Sequence, residues 1–311
     1  MIIVTGGAGF IGSNLVLALN RLGRQDILVV DNLQQAIKHR NLNCARFLDY
    51  VPKEELLALL PSLDKVDVIF HQGACSDTTQ SDGRYMMQNN YQYSKALLHF
   101  AQERGARLIY ASSAAVYGDG EHGFSEQPAC EYPLNVYGFS KLVFDNYVRA
   151  RLPHSSSQIV GLRYFNVYGP QERHKGRMAS VAMHLFDQLA AGQRMRLFAG
   201  SADFKRDFVH VDDVVAVNLY FMHAAVSGIY NCGTGVAQSF EQIAAGLREL
   251  HGGGEIEDIP FPADLAGKYQ RFTQADLTQL RAAGCSHTFL GLRDGLTDYY
   301  RALRNAGGYR R

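Results

Sequence analysis

The sequence lacks several features that would place it in other classes of protein. It has no tryptophan, and its five cysteines are widely spaced with no CxxC pair. An odd number of dispersed cysteines argues against a disulfide framework and against a zinc site. Buried thiols in a reducing compartment and no bound metal are therefore expected. Because no stretch of about 20 apolar residues occurs, no transmembrane helix is expected.

The chain also has little surplus charge of either sign. Its 31 basic and 30 acidic side chains give a formal net charge of +1 over 311 residues. Nucleic-acid-binding proteins need a basic surplus on one face, so nucleic acid is not an expected partner. The N-terminal segment MIIVTGGAGF has neither the basic region nor the cleavable apolar core of a secretion signal. These features together predict a cytoplasmic globular protein.

Short apolar runs alternate with longer helical patterns through the first half of the chain. Buried strands are predicted at MIIVTG, DILVVD, VDVIFHQGA, RLIYASS and SQIVGLRYFNV. Strands that are apolar throughout, and that are separated by helices, indicate βαβ units in a parallel sheet covered on both faces. The predicted fold class is therefore α/β, with a doubly wound parallel sheet of the Rossmann type.

A glycine-rich segment, MIIVTGGAGFIGSNL, joins the first predicted strand to the first predicted helix. Its spacing fits G-x-G-x-x-G as Gly7, Gly9 and Gly12, and the related TGxxGxxG as Gly6, Gly9 and Gly12. Glycines here let the backbone turn tightly and let a pyrophosphate approach the helix N-terminus. Asp31 ends the second predicted strand about 20 residues later, where a carboxylate binds the adenosine ribose. A dinucleotide cofactor is therefore predicted.

The residues alone leave the choice between NAD and NADP open. Asp31 favours NAD, because a carboxylate would repel a 2′-phosphate. Basic residues that follow it could offset that repulsion, or they could be solvated surface charges. These residues are Lys38, His39, Arg40, Arg46 and Lys53.

The pattern changes after about residue 166, where NVYGPQERHKGRMAS is polar and rich in glycine and basic residues. Residues 1–165 are predicted to form the dinucleotide-binding domain, to which a later segment, about 205–235, returns. Residues 166–311 are predicted to form mainly a second, smaller α/β region that binds the substrate, since such loops carry binding residues.

Tyr137 and Lys141, in NVYGFSK, are spaced to lie on one face of a helix. An ammonium one turn away is expected to lower the pKa of the phenol from its ordinary value near 10. The tyrosine could then take a proton from a substrate hydroxyl. Ser113, at the end of the preceding strand, could hydrogen-bond the same hydroxyl. The alternative is an exposed helix face, which pairs at this spacing usually mark.

These segments together resemble the extended short-chain dehydrogenase/reductase family, and within it the nucleotide-sugar epimerases. The resemblance spans nearly the whole chain and is carried by TGGAGFIG, Asp31, HQGACS, YASSAAVYG and YGFSK. RDFVHVDDV, at 206–214, resembles a marker of nucleotide-sugar enzymes, while RHKGRMAS and KYQRFTQADLTQLRAAG resemble segments of heptose-acting members. The resemblance implies that Tyr137 is an acid/base assisted by Lys141. It implies that Lys175 is a second acid/base; without it, Lys175 would be a phosphate-binding or surface lysine.

The resemblance implies an NADP-dependent isomerase of carbohydrate metabolism. Its reaction would invert C6″ of ADP-D-glycero-β-D-manno-heptose by transient oxidation to a 6″-ketone and hydride return, for the lipopolysaccharide inner core. The ketone must present its other face, so a proton donor is needed on a second side of the site. The alternatives are another nucleotide-sugar epimerase or reductase, or a non-catalytic cofactor-binding member. A homo-oligomer, specifically a pentamer, is also implied.

Two sets of binding residues are carried over by the resemblance. The cofactor set is Gly6, Gly9, Phe10, Ile11, Gly12, Asp31, Asn32, Lys38, Lys53, Gln72, Gly73, Ala74, Cys75, Ser76, Asn89 and Lys141. The substrate set is Asn166, Val167, Arg177, His184, Phe198, Ala199, Gly200, Ser201, Arg206 and Tyr269. Gln72 stands where the family is expected to have an acid, and Arg177 where a small polar residue is expected.

Overall fold

The computed structural model describes residues 1–261 and 270–311. The strands are β1 (Ile2–Thr5), β2 (Ile27–Asp31), β3 (Asp49–Pro52), β4 (Val68–His71), β5 (Arg107–Ser113), β6 (Ile159–Tyr164), β7 (Asn166–Tyr168), β8 (Met195–Phe198), β9 (Lys205–His210), β10 (Gly228–Cys232), β11 (Ala237–Ser239) and β12 (Ile256–Ile259). The helices are α1 (Phe10–Arg21), α2 (Lys53–Leu59), α3 (Gly83–Met86), α4 (Tyr93–Arg104), α5 (Val136–Arg149), α6 (Val181–Ala190), α7 (Val211–His223), α8 (Phe240–His251), α9 (Thr278–Ala282) and α10 (Leu292–Ala306). A π-helical turn, Met87–Gln92, joins α3 to α4, and a 3-10 turn, Arg173–Met178, precedes α6.

One parallel sheet contains seven of these strands, in the order β3-β2-β1-β4-β5-β6-β10. Strands β1, β2, β4 and β6 are buried along their whole length. Continuous burial is expected where helices cover both faces of a parallel sheet. The chain winds outward from β1 to one edge and then to the other, which is the doubly wound arrangement. The predicted α/β fold class is therefore confirmed.

Alternate residues of β1 face two apolar cores, one on each side of the sheet. Ile2 and Val4 face a core shared with α1 and α7, whereas Ile3 faces one shared with α4 and α5. Burial of each large apolar side chain stabilises the fold by about 1.5–3 kcal/mol. The helices are thereby fixed to the sheet, and the carboxyl ends of the strands are held along one edge.

Smaller sheets lie beyond the main one. Strand β9 pairs in parallel with β7 and antiparallel with β11, and β8 pairs in parallel with β12. Helices α6, α8 and α10 share a third apolar core with these strands. Between β9 and β11 the chain returns to the main sheet, where β10 pairs with β6. The proposed boundary between a cofactor domain and a substrate region at residue 165 stays a prediction.

The structure bears on two expectations drawn from what the sequence lacks. All five cysteines are free thiols. Cys130, Cys232 and Cys285 are buried, but Cys44 is exposed and Cys75 is half-buried, so the expectation of buried thiols is wrong at these two positions. Both of these lie in loops rather than in the cores. Within 1–261 and 270–311, no helix has the length and apolarity needed to cross a bilayer.

Candidate active site

The glycine loop between β1 and α1 turns through Gly6, Gly9 and Gly12. Gly6 has a φ of +64°, which favours glycine. A Cβ on Gly12 would lie 2.1 Å from the carbonyl oxygen of Gly6, so no side chain fits there. Gly9 is the N-cap of α1 and brings no side chain to the first turn. The N–H groups of that turn, which begins with Phe10 and Ile11, can therefore donate to a pyrophosphate.

A buried chain of hydrogen bonds joins the ends of β1 and β4. The N–H of Gly73 donates to Thr5 Oγ1 at 3.2 Å, and Thr5 Oγ1 lies 2.6 Å from Nδ1 of His71. Ser94 donates its hydroxyl proton to the carbonyl of Asn90, so the His71 Nε2–H must donate to Ser94 Oγ at 2.8 Å. Burial lowers the pKa of His71 to about 3, which keeps the ring neutral. These hydrogen bonds hold the loop at 72–76 against the glycine loop. They were not predicted from the sequence.

Asp31 ends β2 beside the glycine loop and is 5% exposed. One carboxylate oxygen accepts from the N–H of Ala8 at 3.1 Å. The other accepts from the N–H of Asn32 at 2.8 Å and from the ammonium of Lys38 at 2.9 Å. Lys38 also donates to the Asn32 side chain at 3.3 Å. The acid thus has a cation beside it, at the position where an adenosine ribose is expected.

The π-helical turn carries two adjacent asparagines that hold different parts of the cofactor edge. Lys53 donates to the side chain of Asn89 at 2.7 Å. Asn90 accepts from the N–H of Cys75 at 2.8 Å and donates to its carbonyl at 3.0 Å. The loop after β4 is fixed by this paired contact. Ala74 and Ser76, which are also in the predicted cofactor set, flank Cys75 in the same loop.

Helix α5 begins so that its first turn faces the end of β5. Asn135 is the N-cap and accepts from the N–H of Gly138 at 2.9 Å. A Cβ on Gly138 would lie 2.6 Å from the carbonyl oxygen of Ala115, so glycine permits this close approach. Tyr137 is thereby brought into hydrogen-bonding contact with Ser113. The structure places the two predicted residues together.

The predicted effect of Lys141 on the tyrosine is wrong. Burial raises the pKa of Tyr137 above its ordinary value, and its hydrogen bond to Ser113 only opposes this. The ammonium of Lys141 instead donates to the carbonyl oxygen of Ala111 at 2.8 Å. Burial also lowers the pKa of Lys141 to about 8, against the opposing charge of Asp145. Desolvation of both groups therefore outweighs their spacing on the helix.

A buried ion network lies beneath this part of α5. Asp145 and Arg163 are 0% exposed, and their Oδ2 and Nε atoms are 2.9 Å apart. Arg163 also pairs with Glu131, to which Arg149 donates as well. Ser112 donates to Asp145 at 2.9 Å. Asp145 follows Lys141 by four residues, and that spacing is the one sequence signal that could have indicated it.

Lys175 lies on the 3-10 turn Arg173–Met178, which packs against the glycine loop. Its ammonium is 4.9 Å from the centre of the Phe10 ring. The same ammonium is 3.4 Å from Oε2 of Glu172, whose side chain is fully buried. Lys175 and Tyr137 therefore place an amine and a phenol on separate elements.

The other predicted substrate residues lie mainly on the smaller sheets and on α6. Asn166 and Val167 are on β7, His184 is on α6, and Phe198 ends β8 before the turn Ala199, Gly200 and Ser201. Arg206, on β9, is 4% exposed, with its guanidinium carbon 5.6 Å from the centre of the Phe240 ring. Tyr269 lies outside the described residues.

A family model decides what class of protein this arrangement belongs to. The model of the NAD-dependent epimerase/dehydratase family matches residues 2–233, which include the glycine loop, Asp31, Tyr137 and Lys175. The chain belongs to the NAD-dependent epimerase/dehydratase family. Membership confirms the resemblance seen in the sequence, and it assigns a nicotinamide dinucleotide as the cofactor without choosing between NAD and NADP.

Individual family members cover the whole chain. The chain is 57% identical to ADP-L-glycero-D-manno-heptose-6-epimerase of Brachyspira hyodysenteriae, over 99% of each chain. The crystal structure of ADP-L-glycero-D-manno-heptose-6-epimerase from Helicobacter pylori is 34% identical, with a TM-score of 0.88 over 98% of this chain and 96% of that one. UDP-glucose 4-epimerase from Thermotoga maritima, solved with UDP-glucose, is 29% identical, with a TM-score of 0.85 over 97% and 98%. The predicted enzyme class, an epimerase and hence an isomerase, is confirmed.

Two positions depart from the expected family pattern, and both have partners. Gln72 accepts from the Tyr164 hydroxyl at 2.9 Å and donates to Asn218 at 3.1 Å. A neutral amide supplies the donor and the acceptor that this pairing needs. Arg177 is 70% exposed and donates to Asp77 at 3.0 Å and to Thr79 at 2.7 Å. It therefore joins the turn of Lys175 to the loop after β4.

One cluster in the described ranges has the composition of a cation site: His210, Asp212 and Asp298. The N–H of Asp212 donates to Nδ1 of His210 at 3.3 Å, which leaves the proton of a neutral ring on Nε2. Nε2 lies 3.5 Å from a carboxylate oxygen of Asp298. Nε2 makes no hydrogen bond to the described residues, although it lies within ion-pair distance of Asp298.

Proposed function

We propose that the protein interconverts ADP-D-glycero-β-D-manno-heptose and its L-glycero epimer by inverting C6″. The observation that carries the proposal is Lys175, an amine held 4.9 Å from the Phe10 ring of the glycine loop on an element separate from Tyr137. Inversion through a ketone needs two proton-transfer groups, because the two faces of the carbon are used in turn. The 57% identity to a heptose epimerase supports the choice of sugar.

The residues of the glycine loop fit a nicotinamide dinucleotide. The space that a Cβ on Gly12 would need is already filled by the Gly6 carbonyl, and Asp31 and Lys38 stand where the ribose is expected. When bound, the nicotinamide supplies the acceptance and return of hydride. Tyr137, hydrogen-bonded to Ser113, exchanges a proton with the oxygen on C6″ at one face of the site. Lys175 exchanges a proton with the same oxygen when the ketone presents its other face.

NADP is the proposed form of the cofactor, since Lys38 both neutralises Asp31 and can face a 2′-phosphate. A charged hydrogen bond contributes about 1.5–3 kcal/mol, so Lys38→Ala should weaken NADP binding about 10- to 100-fold and NAD binding less. Fluorescence titration of both cofactors tests this. Arg40→Ala is the matched control, because Arg40 stacks 4.1 Å from the Tyr309 ring. Equal losses for NAD and NADP in the Lys38 variant would refute the proposal.

Three wider parts of the proposal follow from the resemblance. A homopentamer, a cytoplasmic location and a role in making the lipopolysaccharide inner core remain predictions. The oligomer is tested directly by sedimentation equilibrium of the purified protein, where a monomer would refute the prediction.

The decisive experiment is proton NMR of ADP-D-glycero-β-D-manno-heptose with the protein in D2O. We expect the L-epimer to accumulate with protium retained at C6″, because hydride leaves that carbon and returns to it. Deuterium at C6″ would mean that a proton is removed from carbon, which contradicts the redox route. If the heptose does not react but UDP-glucose is converted to UDP-galactose, the protein is a 4-epimerase and the heptose assignment is wrong.

A further inference from the structure

Glu172 is a buried carboxylate beside the ammonium of Lys175. Its side chain is fully buried, and it immediately precedes the turn that carries the lysine. Oε1 accepts from the hydroxyls of Ser180 at 2.5 Å and Tyr299 at 2.9 Å. Oε2 accepts from the N–H of Ser180 at 2.8 Å and lies 3.4 Å from the ammonium of Lys175. Three neutral donors therefore hold the carboxylate in one orientation.

The ionic contact of Glu172 is with Lys175, and it is long. A distance of 3.4 Å exceeds the 2.7–2.9 Å typical of a strong charged hydrogen bond. On its other side the ammonium lies over the Phe10 ring rather than against a second carboxylate. This arrangement fixes the place of the lysine while leaving its protons free to reach a substrate oxygen.

The backbone before Glu172 is strained and held by distant residues. Gln171 has a φ of +80°, which is unusual for a residue with a side chain. Its N–H donates to the carbonyl of Gly308 at 2.7 Å, and its side chain donates to the carbonyl of Asn41 at 2.8 Å. Strain of this kind, of about 1–3 kcal/mol, persists only where the surroundings impose it.

We propose that Glu172 is a positioning residue that sets the place of Lys175, and that Tyr299 of α10 holds Glu172 for this purpose. The C-terminal helix then supports the active site through Glu172. This inference depends on the proposed role of Lys175 as the second acid/base.

Loss of the Glu172 charge should misplace Lys175. The carboxylate is the ion-pair partner of this ammonium among the described residues, so without it the side chain loses the contact that fixes its place over the Phe10 ring. The other titratable groups around this turn are Asp31, Lys38, Asp77, Arg173, His174, Arg177 and Asp187. None of them is altered by Glu172→Gln, so the change in charge is confined to one position.

The test compares Glu172→Gln with Glu249→Gln, the same change at an exposed ion pair with Arg293. In the Glu172 variant, we expect kcat to fall about 10- to 100-fold with KM nearly unchanged, because a misplaced Lys175 affects proton transfer more than substrate binding. The resonance of carbon-13-methylated Lys175, assigned by its loss in Lys175→Met, should move at a fixed pH as the side chain leaves its place over the Phe10 ring. The Glu249 variant should change neither quantity.

Several outcomes separate this inference from the proposed function. Wild-type activity in Lys175→Met would refute the second acid/base. An inactive Lys175→Met together with an unchanged kcat and an unmoved resonance in Glu172→Gln would refute the inference alone. A purely structural role would lower the melting temperature without changing kcat or the resonance, and that too would refute it. If Glu172→Gln does not fold, Glu172→Asp replaces it, and its shorter reach should give a smaller loss of kcat and a smaller movement of the resonance.

Discussion

Helix α5 and the turn that carries Lys175 hold their functional groups by different means. In α5, Lys141 is 5% exposed and donates to strand β5, above a network in which Asp145 and Arg163 are fully buried. On the turn, Lys175 has one long contact with Glu172. The first arrangement is built into the main sheet. The second depends on contacts from a helix more than 100 residues away in sequence. Substitutions in the two regions should therefore differ in their effects on stability and activity.

The largest expected effect is loss of the phenol on α5. Tyr137→Phe removes a group that transfers a proton, so kcat should fall about 10²- to 10⁴-fold while the fold remains intact. A coupled assay of epimer formation measures this. Tyr132→Phe is the control, because Tyr132 is 73% exposed. An active Tyr137 variant would mean that α5 binds substrate without taking part in proton transfer.

Substitutions that break the ion pairs of the two regions should lower the free energy of unfolding by different amounts. Arg163→Met leaves the buried Asp145 without its ion-pair partner and should lower the free energy of unfolding by about 3–5 kcal/mol. Arg173→Met breaks an ion pair with Asp187, whose side chains are 25% and 41% exposed, and should cost at most about 1 kcal/mol. Urea denaturation at one pH measures both values. Equal losses would contradict the view that the Arg163 network contributes more to stability than the more exposed Arg173–Asp187 pair.

Features formed by residues close together in the sequence could be predicted, whereas contacts between distant residues could not. The glycine loop follows from short spacings. Ser113 and Tyr137, each expected to contact the same substrate hydroxyl, lie together in the structure, and their contact with substrate stays a prediction. The contact of Tyr299 with Glu172 joins residues 127 positions apart, and no local pattern indicates it. The pKa of Tyr137 was predicted in the wrong direction because helical spacing does not report burial, and burial is the larger effect.

Two neutral histidines lie near these regions, the buried His71 at the end of β4 and the half-buried His174 on the turn, and they should destabilise the protein in acid over different pH ranges. Burial lowers the pKa of His71 to about 3 and that of His174 to about 4, from an ordinary value of 6.5. Below pH 6.5 the histidine becomes protonated in the unfolded chain but stays neutral in the folded chain. Each histidine should therefore reduce the free energy of unfolding by up to about 1.4 kcal/mol per pH unit. This loss should stop near pH 4 for His174 but continue to about pH 3 for His71.

The two ranges are measured as differences from the wild type in the free energy of unfolding. His174→Asn should flatten the acid dependence only between pH 6.5 and about 4. His71→Asn should flatten it down to about pH 3, since an amide can replace Nδ1 as the acceptor from Thr5. Identical curves for the two variants would show that the two sites bury their rings equally.

The smallest expected effect concerns Arg177, which links the turn of Lys175 to the loop after β4. Its side chain is 70% exposed, and its ion pair with Asp77 spans 3.0 Å. Exposed ion pairs contribute at most about 1 kcal/mol, so Arg177→Ser should change stability by less than that and KM by no more than about fivefold. Substrate titrations of the epimerase rate at low and high salt measure the change. A tenfold rise in KM that salt does not reproduce in the wild type would mean that Arg177 contacts the substrate directly. The turn would then be held by its ligand as well as by Glu172.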